Sequence, residues 1–319
     1  MRNFIGIDLG GTNIAVGVVN EAGELLVKHS VPTNPSRGFM SVVKEMADAS
    51  IAAAEKAGLT MEDITSVGVG VPGAVDTKEN SVILAVNLSW KGVPLGDELN
   101  KYLDTPVYLG NDADCAALGE TFAGSAKGCS SAIMITLGTG IGGGIVMNRK
   151  IFCGCDGNGT EPGHSFFIFD GETCGCGKKG CFEAYASCTA LIRQTKAKML
   201  EHPESKMWDL CNRNIDSVNG RTAFDASRLD DPAALEVVDR YITYVAGGTV
   251  GLVNTFRPEI VIIGGGVSNE GPYLLDPLNE KMKMFGYGTE LMPFPTAVKA
   301  TLGNDAGIIG AAMLGFDGE

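Results

Sequence analysis

No apolar run in the chain reaches the roughly 20 residues that a membrane-spanning helix needs, so no such span is expected. No apolar leader with a small-residue cleavage site opens the sequence, because MRNFIGIDLG enters strand-like residues at once. A basic face is missing too. Lys and Arg total 25 against 38 Asp and Glu, a formal net charge of −13, and no Lys/Arg cluster stands ready to neutralise nucleic-acid phosphates. Nine cysteines, an odd number, do not make a complete disulfide framework in a chain without an export signal. These absences leave a cytoplasmic protein as the expectation, with no membrane and no nucleic-acid partner. At 319 residues, 45% of them hydrophobic, the chain is long enough for two domains around substantial cores.

Two stretches share one pattern. FIGIDLGGTNIAVGVV (4–19) and AIMITLGTGIGGGIVM (132–147) each read as strand, glycine turn, strand. Placing Leu9 on Leu137 puts Gly10 on Gly138 and Gly11 on Thr139. The recurrence predicts two related domains facing one another rather than two unconnected hairpins. Between the hairpins, 39–58 has helical periodicity and stops at Gly58, SVGVGVPG (66–73) is strand then turn, and PVYLGND (106–112) is a short strand. A helix is expected over 112–124, further helices over 183–200 and 233–256, a buried strand over 259–267, and a closing apolar helix over 305–316. Segment 201–231 reads as a polar, irregular surface excursion. Alternating strands and helices give an α/β chain with a largely parallel or mixed sheet in each domain. The expected boundary puts a small domain at 1–120, closed by helix 303–319, and a large domain at 121–302.

DLGGT (8–12) ends a strand on an acid and then offers two glycines and a hydroxyl. Such a turn presents backbone N–H groups to phosphate oxygens, and Asp8 can hold Mg²⁺ through water. LGTGIGGG (137–144) supplies a second glycine turn, which favours a clamp on phosphate over two ordinary tight turns. GGG (264–266) follows a buried strand; approach of a planar group such as adenine and plain strand–helix packing both remain open there. Asp112, after Asn111, sits where a strand hands over to a helix. Local sequence alone favours a helix cap. The neighbouring motifs favour a general base that takes a hydroxyl proton as the oxygen attacks phosphorus.

His164 in EPGH, followed by Cys174, Cys176 and Cys181 in CGCGKKGC, has the donor set and glycine-rich spacing of a structural Cys₃His zinc site. A Cys174–Cys176 disulfide is disfavoured by its one-residue spacer. Cys153 and Cys155 are rival ligands without the following glycines. Folding around a metal would draw Glu161, His164 and Glu183 together, a grouping able to accept from adjacent sugar hydroxyls. Asn87 in NLSW is a further pocket-wall candidate, with Trp90 beside it equally suited to the core.

Taken in order, DLGGT, GVGVPGAVD, GND, LGTGIGGGI, EPGH, CGCGKKGCFE and VIIGGGV resemble the ROK family of sugar kinases and repressors over most of the chain. The resemblance implies a two-domain actin-like, hexokinase-like ATPase fold of ribonuclease H-like domains with an interdomain cleft. It implies Asp112 as the proton-abstracting acid and Asn111, Glu161, His164 and Glu183 as sugar contacts. It implies His164, Cys174, Cys176 and Cys181 as zinc ligands. Gly10, Gly11 and Thr12, with Gly138, Thr139 and Gly140, correspond to the phosphate turns, and Gly264, Gly265 and Gly266 to the adenosine region. The activity expected is phosphorylation of a hexose by ATP with Mg²⁺, glucose at its 6-hydroxyl first, in a homodimer or homotetramer. Pro162 and Ser165, around the Glu–Gly–His core, leave mannose, N-acetylhexosamines and fructose open, and polyphosphate stays open as donor. A sugar-sensing repressor is the alternative. It is disfavoured by the seven residues before Asp8, too few for a DNA-binding helix pair, and by the acidic charge. A zinc hydrolase is poorer still, because four protein ligands leave zinc no position for water.

Overall fold

The computed structural model describes residues 2–155 and 157–316. From the N-terminus the chain runs β1 (Asn3–Leu9), β2 (Asn13–Asn20), β3 (Leu25–Pro32), α1 (Phe39–Lys56), β4 (Ile64–Val71), β5 (Ala74–Asp76), β6 (Ser81–Ala85), β7 (Trp90–Val93), α2 (Leu95–Leu103), β8 (Val107–Asn111) and α3 (Asp112–Phe122). It continues through β9 (Ala132–Leu137), β10 (Ile141–Met147), β11 (Lys150–Ile151), α4 (Glu183–Ala186), α5 (Cys188–Glu201), α6 (Met207–Leu210), α7 (Thr222–Ser227) and α8 (Pro232–Phe256). Then come β12 (Ile260–Gly264), α9 (Pro272–Phe285), β13 (Thr296–Lys299) and α10 (Ala306–Ala312). Among the described residues no helix is long and apolar enough to cross a membrane.

Two compact units result. The first takes the chain up to Ala132, Gly144–Thr160 and everything from Ala300; the second takes Ile133–Gly143 and Glu161–Lys299. The strand orders are β3-β2-β1-β4-β8 and β11-β10-β9-β12-β13, so each five-stranded sheet places its third, second, first, fourth and last strands in the same sequence. A separate three-stranded sheet, β5-β6-β7, is inserted in the first half only. The repeat read from the two glycine hairpins is therefore a repeat of whole sheets. In the first, β1 pairs antiparallel with β2, Leu9 opposite Ile14, and parallel with β4, Asp8 opposite Gly70.

The core of the first unit is unusual in its closeness. α10 lies backbone to backbone on β1, β4 and α3. A Cβ on Gly6 would stand 1.8 Å from the Ile308 oxygen, one on Gly68 1.8 Å from the Ala311 oxygen, and one on Gly310 1.6 Å from the Cys115 oxygen. Only glycine allows that approach. The segment leading into α10 is held by Glu120, a fully buried carboxylate on α3. It accepts from the Thr301 and Leu302 N–H groups, both at 2.8 Å, and from the Ser125 N–H at 2.8 Å. Phe316 then stacks edge-on against Phe4 and Phe122.

α1 buries Val42, Val43, Met46, Ala47, Ala53 and Ala54 along one stripe and ends as read, with Gly58 left-handed at φ 74° donating to the Glu55 oxygen. Two expectations are corrected. The helix foreseen over 183–200 is broken at Ser187, whose hydroxyl caps α5 by accepting from the Ala190 N–H at 3.1 Å. Segment 201–231 is not an irregular excursion. It forms α6 and α7 and buries Met207, Cys211 and Phe224, with Phe224 edge-on to Tyr241 of α8. At four and six residues, the two helices are too short to show periodicity in the sequence.

The glycine contacts give a stability test. Gly310→Ala should cost about 3 kcal/mol, lowering the melting temperature by roughly 6–12 °C, because neither the methyl group nor the Cys115 carbonyl has room to move aside. Gly251→Ala on α8, where a Cβ meets nothing within 4 Å, should leave the melting temperature unchanged or raise it. Equal behaviour of the two variants in thermal unfolding would refute the packing argument.

Candidate active site

In the first unit, the DLGGT turn closes with the Gly10 N–H donating to the Asn13 oxygen at 2.9 Å. Buried Thr33 fixes it from behind: its hydroxyl donates to the Gly10 oxygen at 2.6 Å and its N–H to the Thr12 oxygen at 2.9 Å. Asn87, exposed on a 3-10 turn over Val86–Leu88, adjoins this motif; a Cβ on Gly11 would lie 3.4 Å from its own. Trp90 is core, edge-on to Phe39.

Asn111 and Asp112 divide the two roles weighed from sequence. Asn111 is the cap of α3, its Oδ1 accepting from the Ala113 N–H at 2.8 Å, while its amide donates to the Gly73 oxygen at 3.0 Å. Asp112 occupies the first helical position, half-buried, with Oδ1 accepting from the Ala113 N–H at 2.9 Å. There the helix dipole favours its anion. Asp8, at the end of β1, feels that anion. Burial first, and then the negative charge of Asp112, raise its carboxyl above the ordinary value, with Lys28 offsetting part of the rise. A pair of acids that oppose each other's ionisation is a natural place for a divalent cation.

In the second unit, the ligand atoms of His164, Cys174, Cys176 and Cys181 all lie within 4.8 Å of one another. Cys176 Sγ and Cys181 Sγ are 3.7 Å apart, and Cys174 Sγ is 3.7 Å from His164 Nδ1. A tetrahedral ion with bonds of about 2.0–2.3 Å needs ligand separations of about 3.5–3.8 Å, so the group fits zinc. It does not fit a disulfide, whose sulfurs stand about 2.05 Å apart. Cys174 and Cys181 are buried while His164 and Cys176 are exposed. The turn between the ligands is shaped by Gly177, left-handed at φ 83°, whose N–H donates to the Cys174 oxygen. Cys153 and Cys155 lie in the first unit, outside this group. Without an ion, burial pushes the Cys174 thiol up to about 12, so a metal must displace its proton.

Glu183, the first residue of α4, meets the metal ligands at Cys174, whose thiol donates to its Oε1 at 3.2 Å. Its Oε2 accepts from the Ile141 N–H at 2.9 Å. Gly140 makes room for it: a Cβ there would stand 2.3 Å from Oε2. Glu161, exposed, precedes the 3-10 turn Pro162–His164 and its carbonyl accepts from the His164 N–H. The second glycine turn therefore touches the residues beside the metal ligands, a link that no spacing in the sequence revealed.

The third glycine turn resolves residue by residue. Gly264 ends β12, and Gly265 is close packing, since a Cβ on it would lie 2.5 Å from the Leu137 oxygen. Gly266 has nothing within 4 Å of its missing Cβ. A recess of about 410 Å³ opens beside it, lined by Arg221, Asp225, Arg228, Gly266, Asn269 and Glu270. The two arginines were hidden from the sequence reading by the supposed irregularity of 201–231. Arg228 donates to Glu270 at 2.5 Å and lies 4.6 Å from the Tyr273 ring centre.

Comparison with known proteins follows the same lines. The model of the ROK family matches residues 4–317. A glucokinase of Streptomyces coelicolor is 38% identical over 312 residues, covering 97% of this chain and 96% of that protein. The crystal structure of a ROK family glucokinase from Streptomyces griseus in complex with glucose and AMPPNP is 37% identical, with a TM-score of 0.75, covering 99% of this chain and 100% of that one. That of the ROK hexokinase from Thermus thermophilus is 32% identical, with a TM-score of 0.79, covering 98% and 97%.

The acid pair is testable without substrate. A folded-state value above the usual 3.8 means that folding is penalised as the pH rises past 3.8, the penalty becoming complete above the raised value. Asp8→Asn should therefore melt higher than the wild type at pH 7, with the advantage shrinking as pH approaches 3.8. A melting-temperature difference that is the same at both pH values would refute the raised value of Asp8.

Proposed function

The chain belongs to the ROK family, and on that premise we propose that it is an ATP-dependent hexose kinase transferring the γ-phosphoryl group to the 6-hydroxyl of glucose. The observation that carries this reading is the placement of Asp112 as the first residue of α3, at the positive end of the helix, with its negative charge felt by Asp8 on β1. Near-full-length likeness to a glucokinase bound to glucose and AMPPNP supports the choice of acceptor and donor. Use of ATP puts the reaction in the cytoplasm.

Asp112 accepts the proton of the 6-hydroxyl as that oxygen bonds to the γ-phosphorus. The bond from γ-phosphorus to the bridging oxygen breaks, and ADP leaves with the electron pair. In a loose transition state the base needs to take its proton only late, which suits a carboxylate. Asp8 would hold Mg²⁺ through water, and that ion, arriving with ATP, would neutralise charge on its phosphates. Gly11 and Thr12, with Thr139 and Gly140, present backbone N–H groups to the phosphates, in turns that the Gly10 and Gly138 N–H groups close. Gly264, Gly265 and Gly266 border the adenosine, Gly266 through its open face. Asn87, Asn111, Glu161, His164 and Glu183 hold sugar hydroxyls; Glu183 keeps acceptor capacity beyond its two partners, because a carboxylate offers about four lone-pair sites. His164, Cys174, Cys176 and Cys181 would hold Zn²⁺, and as a four-ligand structural ion it would brace the loop rather than take part in the reaction.

Two measurements test this. With a coupled assay over a panel of hexoses, glucose should be preferred, and Asp112→Asn should lower kcat by roughly a hundred- to ten-thousandfold while the glucose Kd changes little. A near-normal kcat would remove Asp112 as the base. Atomic spectroscopy should find one zinc per chain, lost in Cys176→Ser; a zinc-free wild type of full activity would dismiss the metal role.

A further inference from the structure

The glycine turn at the head of β10 is held at its carbonyls by two residues outside every motif considered above, Cys188 and Thr189. The Thr189 hydroxyl donates to the Thr139 oxygen at 2.7 Å. The Cys188 N–H donates to the Gly138 oxygen at 2.8 Å. The Gly138 N–H closes the turn onto the Gly140 oxygen at 3.0 Å, and the Ile141 N–H is taken by Glu183. A trans peptide is planar, with its C=O and N–H pointing in opposite directions. Pinning the Gly138 and Thr139 carbonyls toward α5 therefore turns the N–H groups of Thr139 and Gly140 away from it. Two successive N–H groups aimed the same way form a concavity for an anion.

We infer that Thr189, through its hydroxyl, is a positioning residue for nucleotide phosphate: it fixes the Thr139–Gly140 peptide so that its N–H faces the phosphate. The inference rests on the kinase reading. The first unit uses a related device at the aligned turn, where the Thr33 hydroxyl and N–H donate to the Gly10 and Thr12 carbonyls, the counterparts of Gly138 and Gly140. A threonine brought in from a distant part of the chain thus braces both members of the repeat. Thr33 is buried, whereas Thr189 is exposed and its hydroxyl can be removed without opening the core. The brace begins eight positions after the ligand Cys181, at the end of the run that carries Glu183, so the metal loop, α4 and the turn form one connected structure.

The test uses the full chain with AMPPNP as probe. By isothermal titration, Thr189→Val should weaken AMPPNP binding about fivefold, the effect of losing one neutral hydrogen bond, with glucose Kd and melting temperature unchanged. Thr189→Ser, which keeps the hydroxyl, should bind AMPPNP within about twofold of the wild type. Wild-type affinity in Thr189→Val, or an equal loss for glucose, overturns the positioning role. If wild type phosphorylates glucose and the variant binds AMPPNP normally, only this inference fails; if wild type binds no AMPPNP, the kinase reading fails with it.

Discussion

The first unit depends on contact between main chains without side chains between them. Gly6, Gly68 and Gly310 bring α10 down onto β1, β4 and α3 until carbonyl oxygens occupy the space where Cβ atoms would be. Because Asp8 is the penultimate residue of β1 and Asp112 the first of α3, that contact also sets the spacing of the two acids. The electrostatics follow: burial and mutual repulsion raise Asp8, and the same geometry suits an incoming cation. A methyl group anywhere in the contact would shift the floor on which both carboxylates stand.

The second unit solves a similar problem by other means. Its glycine turn is hydrogen-bonded to the stretch 183–189, across the starts of α4 and α5, and that stretch begins beside the His164–Cys181 cluster. Gly140 is needed there less for backbone freedom than for space, since Glu183 occupies the position of its Cβ. Metal loop, carboxylate and turn are consecutive in structure although the first and last are far apart in sequence.

Much of this was legible beforehand. Hairpins with glycine turns announce themselves through local chemistry, and the His164–Cys181 cluster through donor type and spacing, so both stand where the residues said. The Gly58 stop was equally plain. What failed was the weakly patterned material. α6 and α7 are only four and six residues long, with Met207 and Phe224 their largest buried side chains, and the Ser187 break between α4 and α5 is a cap visible only once the helix direction is known. Tertiary hydrogen bonds were out of reach altogether: nothing local marks Thr189 as the partner of Thr139, or Glu120 as the acceptor for Thr301 and Leu302.

The order of the chain adds a last consequence. α10 follows every strand in sequence, yet β1 and β4, which it covers, are among the earliest made. During synthesis those strands leave the ribosome without their lid and stay uncovered while the whole second unit is translated. The glycines that permit so tight a final fit leave no side chains to shield that face in the meantime. Nascent chains of this protein should therefore carry a long-lived sticky sheet surface, and their yield in a cell should depend on chaperone supply more than the stability of the finished molecule would suggest.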